Sequence, residues 1–246
     1  MILAIDVGNT NTVIGAFEGR NLLWKLRLRS LERTRDEWWL LLRDVMDDGV
    51  EGGIISSVVP SISGSLREFF EEKLRRRVIF VAPGIKTGLS ILYDPPSAVG
   101  ADRIANAVAG REEYGAPLII VDFGTAITFD VISEKGEYLG GLIFPGIRTS
   151  SLALYAKAAK LPQVEFVARK GAVGRNTAES MEKGLFIGFK SMVDGTISAI
   201  KEEIGEARVV GTGGEGKEIS RASEEIELYD EDLTLKGLRI IYELNR

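Results

Sequence analysis

Residues 4–15 read AIDVGNTNTVIG: an apolar run ending in aspartate, then a glycine, then four small polar side chains before the chain turns apolar again. The pattern predicts two strands, Ile2 to Val7 and Thr12 to Phe17, joined by a tight polar turn. Glycine lets backbone amides approach a phosphate closely, and small hydroxyls add donors. The turn lacks the lysine of a GxxxxGK[ST] loop, so the usual phosphate-loop reading fails.

The stretch decides the fold because it recurs. In PLIIVDFGTAIT, residues 117–128, Asp122, Gly124 and Thr128 repeat Asp6, Gly8 and Thr12 at one constant offset. Each copy is followed by a second strand, a turn (Glu18 to Asn21; Glu134 to Glu137) and a third strand (Leu22 to Arg29; Tyr138 to Phe144). Thr34-Arg-Asp-Glu37 is a capping box that starts a helix through Trp38, Leu41 and Val45 toward Gly49. A strand (Ile54 to Val59), a helix (Ser61 to Arg76), a strand (Val78 to Ala82) and a helix (Val99 to Tyr114) complete the first half. The second half continues with helices near Arg148 to Ala159 and Thr177 to Ile204, and a strand Ala207 to Gly211 running into Gly213-Gly214-Glu-Gly216. A closing helix covers Leu233 to Leu244. The expected fold is α/β, a duplicated unit with halves 1–115 and 116–246, the closing helix free to pack back on the first half.

At 246 residues the chain exceeds the ~100 to 150 of one typical domain. A net charge of −5 and a pI near 5.1 argue against nucleic acid or an anionic membrane as partner, since both require a basic footprint. No apolar stretch approaches the ~20 residues of a membrane span, and a cytoplasmic protein is expected. The chain has no cysteine, which excludes disulfides, thiol catalysis and cysteine-bound zinc. It has no histidine either, so a general base must be a carboxylate, lysine or tyrosine, with aspartate the first choice.

If the two halves face each other across a central cleft, their Asp-x-Gly turns can grip a polyphosphate from opposite sides. Asp6 would hold Mg²⁺ or its waters and Asp122 a second cation, because hard cations take oxygen ligands; each aspartate could equally just shape its turn. Gly211-Thr-Gly-Gly214 suits either a nucleoside lying flat on backbone or an ordinary strand-to-helix turn. In Ser97-Ala-Val-Gly100-Ala-Asp102-Arg103, Asp102 is a base for a substrate hydroxyl or a helix cap. Arg103 offers a planar fork to a carboxylate or phosphate, or a surface ion pair. Tyr93 is a loop anchor or a cleft wall, and Asn176 or Thr177 caps a helix whose first amides could receive an anion.

The succession AIDVGNTNTVIG, GADRIANAV, VDFGTAITFDV, YLGGLIFPGI, GRNTAESMEKG and GTGG resembles the type III pantothenate kinases, of the sugar kinase, Hsp70 and actin superfamily, over essentially the whole length. The resemblance implies two duplicated ribonuclease H-like (actin-like ATPase) domains. It implies ATP-dependent phosphorylation of pantothenate to 4′-phosphopantothenate, the first step of coenzyme A synthesis, by a cytoplasmic homodimer using Mg²⁺ and a monovalent cation, potassium or ammonium. Matched by motif, Asp6, Val7, Gly8, Asn9, Thr10, Asn11, Thr12 and Val13 would form the ATP phosphate site, with Thr125 touching ATP. Asp102 would accept the proton of the pantothenate hydroxyl. Tyr93, Gly100, Ala101, Asp102, Arg103 and Thr177 would contact pantothenate, and Asp122 would hold the monovalent cation. Two positions depart from the family's pattern: Glu215 stands where an apolar residue is usual, and Arg35 where a small one is. The competing readings are a nucleotide-binding accessory regulator acting through a protein partner and another small-molecule kinase of the superfamily.

Overall fold

The computed structural model describes residues 1–46 and 49–246, and the chain divides into two units. The first comprises Met1–Glu112 together with Asp232–Arg246, and the second Glu113–Glu231. The final fifteen residues, contiguous in sequence with the second half, therefore belong to the first unit.

In the first unit, β1 (Ile2–Val7), β2 (Asn11–Glu18) and β3 (Asn21–Arg29) form an antiparallel meander, and β4 (Gly52–Ser57) and β5 (Arg77–Phe80) join parallel, giving the order β3-β2-β1-β4-β5. Leu3, Ile5 and Val7 point to one face, where helix α1 (Arg35–Leu42) and helix α2 (Pro60–Glu68) supply Trp38, Leu42, Ile62 and Leu66 to a dry core. The capping box forms as expected: Thr34 Oγ1 accepts from the Glu37 amide, and the Glu37 carboxylate accepts from the Thr34 amide at 2.7 Å. Helix α1 ends at Leu42, well short of the expected run toward Gly49, part of which lies outside the described residues. The helix stops at the C-cap Arg43, whose amide still bonds Trp39 O and whose side chain pairs with the following Asp44 at 3.5 Å. The next expected helix also changes character: α2 passes into a wider π turn at Phe69–Leu74, where adjacent Phe69 and Phe70 are both fully buried and meet edge-on at 5.3 Å. Helix α3 (Ala101–Tyr114) completes the run to residue 112 and extends into the second unit.

In the second unit β6 (Leu118–Phe123), β7 (Ala126–Ile132) and β8 (Tyr138–Pro145) repeat the meander. β9 (Arg208–Thr212) pairs parallel with β6, and the two-residue strand β10 (Leu228–Tyr229) closes the order β10-β9-β6-β7-β8. Helix α4 (Ile147–Lys157) follows β8. The 28-residue α5 (Thr177–Ile204) lays Val193, Ile197 and Ile200 against Ile119, Val121 and Phe129, and α6 (Lys217–Ala222) follows β9. Two mixed five-stranded sheets with the same meander opening make a duplicated ribonuclease H-like fold. Helix α7 (Leu233–Asn245) lies in the first unit, and Thr234 Oγ1 bonds the buried Asn106 of α3 at 2.7 Å.

The register refines the repeat. Asp6 pairs with Val13 across the first hairpin, whereas Asp122 pairs with Thr128 across the second. The second turn is thus one residue shorter, and Thr128 occupies the place of Val13 rather than of Thr12. Thr12 is fully buried on the core face; Thr128 sits on the opposite face and donates to Asp130 at 3.2 Å. Aspartate and glycine repeat structurally, and the threonine match is coincidental.

Candidate functional site

Asp6 is the penultimate residue of β1, half-buried, in register with Val13 on one side and Ser56 of β4 on the other. Partnered residues of neighbouring strands project to the same face, so Ser56 stands beside Asp6. The Ser56 hydroxyl is buried and makes no hydrogen bond among the described residues. The turn beyond is held by a residue the sequence did not announce. Ser30, first residue past β3, donates its amide to Thr10 O at 3.0 Å and its hydroxyl to Gly8 O at 2.6 Å, and lies 3.0 Å from the buried Thr12 hydroxyl. Gly8 N–H donates to Asn11 O at 3.0 Å. Asn9 and Thr10 are exposed at the tip.

Gly100 opens α3, its carbonyl accepting the Ile104 amide at 3.0 Å. Asp102 therefore sits in the first turn, half-buried, and its Oδ1 accepts the Arg103 amide at 2.9 Å. A Cβ on Gly100 would come 2.5 Å from that same oxygen, so glycine there gives the carboxylate its place. Asp102 accordingly serves the helix start with one oxygen; among the described residues Oδ2 makes no hydrogen bond. Ala101 is half-buried beside it, Arg103 is buried, and Tyr93 is half-buried in the loop ahead of the helix.

In the second unit Asp122, half-buried, and Thr125, exposed, flank the β6–β7 turn, which Gly124 N–H closes onto Ala126 O at 3.0 Å. Here too the first amide past the third strand clamps the turn: Gly146 N–H donates to Thr125 O at 3.0 Å, and Thr149 Oγ1 donates to the same oxygen at 2.8 Å. A side chain at Gly146 would strike that carbonyl, 2.5 Å away. The Gly211-Thr-Gly-Gly214 loop comes down on the same turn. Gly213, with φ of +93°, packs where a Cβ would collide with the Asp122 carboxylate and the Phe123 amide, the latter at 2.6 Å. Glu215 is explained locally: its amide donates to Phe123 O and its carboxylate accepts the Arg148 amide at the start of α4, both at 3.2 Å. Arg35, the other departure, forms an exposed ion pair with Glu72.

Thr177 is exposed at the first position of α5, and the cap is Asn176, whose Oδ1 accepts the Glu179 amide at 2.9 Å. The buried Lys183 ties the approach to that helix, donating to Val173 O at 2.9 Å and pairing with Glu179 at 2.7 Å. Lys183, bonded by side chain to Glu179, and the Arg175 amide hold the Glu179 carboxyl below its ordinary value. The predicted residues therefore assemble as two turns, one helix start and one isolated α5 start. Ser30, Gly146 and Lys183 are the supporting residues that sequence reading missed. A donor set of carboxylates, hydroxyls and carbonyls without imidazole or thiolate suits hard cations.

Residues 2–199 match the family described as type III pantothenate kinase. The type III pantothenate kinase of Myxococcus xanthus is 49% identical over 100% of this chain and 99% of its own length. Among solved structures, a Campylobacter jejuni protein named for the Baf family of transcriptional activators superposes with a TM-score of 0.63 at 22% identity, covering 99% of this chain and 98% of its own. Component A of (R)-2-hydroxyglutaryl-CoA dehydratase from Acidaminococcus fermentans does so with a TM-score of 0.57 at 13% identity, covering 100% and 99%. At those identities the two structures speak to the fold alone. The full-length match at nearly half identity speaks to lineage, and the chain belongs to the type III pantothenate kinase family.

Proposed function

We propose that this protein transfers the γ-phosphoryl group of ATP to the primary hydroxyl of pantothenate, giving 4′-phosphopantothenate and ADP, the opening step of coenzyme A synthesis, in the cytoplasm. The observation that carries this reading is the 49% identity to the Myxococcus xanthus pantothenate kinase along the entire chain. Among the described residues no helix is long and apolar enough to cross a membrane.

The residues divide the labour as follows. The amides and hydroxyls from Gly8 to Val13 receive the ATP phosphates, and Thr125 contacts the nucleotide from the second hairpin. Gly100, Ala101 and Arg103, with Tyr93 and Thr177, bind pantothenate; the Arg103 guanidinium matches its carboxylate in charge and planarity. Asp102 orients the hydroxyl and takes its proton as the oxygen attacks phosphorus and the bond to ADP breaks. Phosphoryl transfer is dominated by positioning and charge neutralisation, so one carboxylate suffices as base.

Among the described residues no three acidic side chains cluster as a metal cage. Mg²⁺ needs only one or two protein carboxylates and completes its shell with phosphate and water. Asp6 would hold it, with the unsatisfied Ser56 hydroxyl beside Asp6 as an outer donor or acceptor. Asp122 would hold the monovalent cation among the carbonyls of its turn. Bound cations supply the positive charge that a P-loop lysine supplies elsewhere.

The test is pantothenate-dependent ADP release by purified protein with Mg²⁺ and potassium, run beside a panel of sugars and with sodium in place of potassium. Release with pantothenate, and less of it in sodium, is the expected result; ADP release with a sugar alone would move the chain to another kinase activity. No observation favours the accessory-regulator reading.

A further inference from the structure

In a hairpin whose turn runs from Gly8 to Asn11, the ordinary closing bond is Asn11 N–H to Gly8 O. Among the described residues that bond is not made. Gly8 O is instead turned toward β3 and accepts the Ser30 hydroxyl at 2.6 Å, while Thr10 O accepts the Ser30 amide at 3.0 Å.

In a trans peptide the carbonyl and the following N–H point in opposite directions. Fixing Gly8 O therefore aims the Asn9 N–H away from Ser30, and fixing Thr10 O does the same for the Asn11 N–H. Both amides then face the mouth of the turn, a concave pair of donors suited to an anion. Ser30 is itself immobilised. Leu31 N–H donates back to Arg29 O at 2.9 Å, and Arg33 Nη1 bonds both Arg29 O and Leu31 O at 3.1 Å. The Arg33 guanidinium in turn lies 5.0 Å from the ring centre of fully buried Trp38. The second hairpin has the matching amide clamp from Gly146, but its hydroxyl comes from Thr149 and meets the same Thr125 carbonyl, so no hydroxyl there turns a second carbonyl as Ser30 turns that of Gly8.

From this geometry we infer that Ser30 is a positioning residue for ATP: its hydroxyl holds the first turn open so that the Asn9 and Asn11 amides meet a phosphate group. This rests on the proposed kinase activity, and the experiment separates the two. Wild-type protein, Ser30→Ala and Ser30→Thr are compared by steady-state kinetics with ATP and pantothenate varied in turn, by ATP-induced thermal shift, and by melting temperature. Loss of one aimed hydrogen-bonding group should raise KM for ATP about tenfold in Ser30→Ala. KM for pantothenate should stay within about twofold, and Ser30→Thr, which keeps the hydroxyl, should restore ATP affinity. If Ser30→Ala does not fold, Ser30→Cys is read in the same way, since a thiol is a weaker donor of similar size. An unchanged KM for ATP, or a parallel rise for both substrates that tracks melting temperature, overturns the inference. If the wild type fails to phosphorylate pantothenate the kinase proposal falls, while the ATP-induced thermal shift of wild type against variant still decides the role of Ser30.

Discussion

Asp102 serves two purposes with one carboxylate: one oxygen bonds the Arg103 amide in the first turn of α3, and the proposed mechanism needs basicity from the group as a whole. Asparagine separates them. Its amide oxygen can still accept the Arg103 N–H, so Asp102→Asn should fold with a melting temperature close to wild type, less the roughly 0.3 to 1 kcal/mol that a charge contributes near a helix N-terminus. Its basicity is gone, so kcat should fall by about 10² to 10⁴ with little change in KM for ATP. Rapid-quench or coupled kinetics together with a thermal melt check both halves; a near-wild-type kcat would remove Asp102 as base. At the residue scale the local placement was legible in the sequence. Absence of histidine forced attention onto aspartate, and Gly100 to Arg103 form one helix start. Ser30 was invisible because its partners, Gly8, Thr10 and Thr12, are brought to it only by the folding of β3 onto β2.

Helix starts and helix crossings decide how firmly these residues are held. At the start of α5, hydrogen bonds from Lys183 and then from the Arg175 amide lower the Glu179 pKa. A lowered carboxylate pKa adds stability above the unfolded value near ~4.3 and loses it as pH falls through the folded value. Glu179→Gln should therefore melt below wild type at neutral pH, and the gap should close as pH falls through the lowered folded value. Parallel melts across that range test this, and a constant gap would mean the contacts act without the charge. In the first unit, Gly237 of α7 lies so close to α3 that an added Cβ would come within 2.5 Å of the Ala105 carbonyl carbon. Backbone cannot yield as a side-chain tip can. Gly237→Ala should cost about 1 to 3 kcal/mol, a fall of roughly 2 to 4 °C in Tm per kcal/mol for a chain of this size, read by differential scanning calorimetry. Element identity was legible from period and caps, since Thr34 and Glu37 formed the capping box and α5 runs over Thr177–Ile204. The Thr12–Thr128 equivalence was not, because a turn shortened by one residue shifts register without disturbing the sequence offset. The π turn at Phe69–Leu74, at which two adjacent phenylalanines are buried, was also hidden.

At the scale of the whole molecule, sequence order and spatial membership part company. Helix α7 follows β10 in sequence yet belongs with the first unit, a non-local choice no local pattern can encode. The second unit carries the feature that bears on assembly. Helix α4 buries only Ile147 and Ser151, and a groove of about 500 Å³ is lined by Phe144, Leu154, Met181, Leu185, Phe189 and Met192. Leu154 of that lining is 43% exposed, and Ile143, Tyr155 and Ile187, sequence neighbours of lining residues, are 60%, 51% and 41% exposed, apolar surface of the kind that marks interaction sites. The homodimer that the sequence resemblance implies would cover this face. Light scattering after size exclusion should then give twice the 26.9 kDa of one chain. Leu154→Glu should shift the mass toward one chain, because an unpaired carboxylate in an apolar interface costs several kcal/mol. In an isolated chain Leu154 is exposed, so the same substitution should leave the intramolecular core intact and the far-ultraviolet circular dichroism unchanged. A wild-type mass of one chain at micromolar concentration would refute the dimer, and a Leu154→Glu protein that stays dimeric would move the interface off this groove.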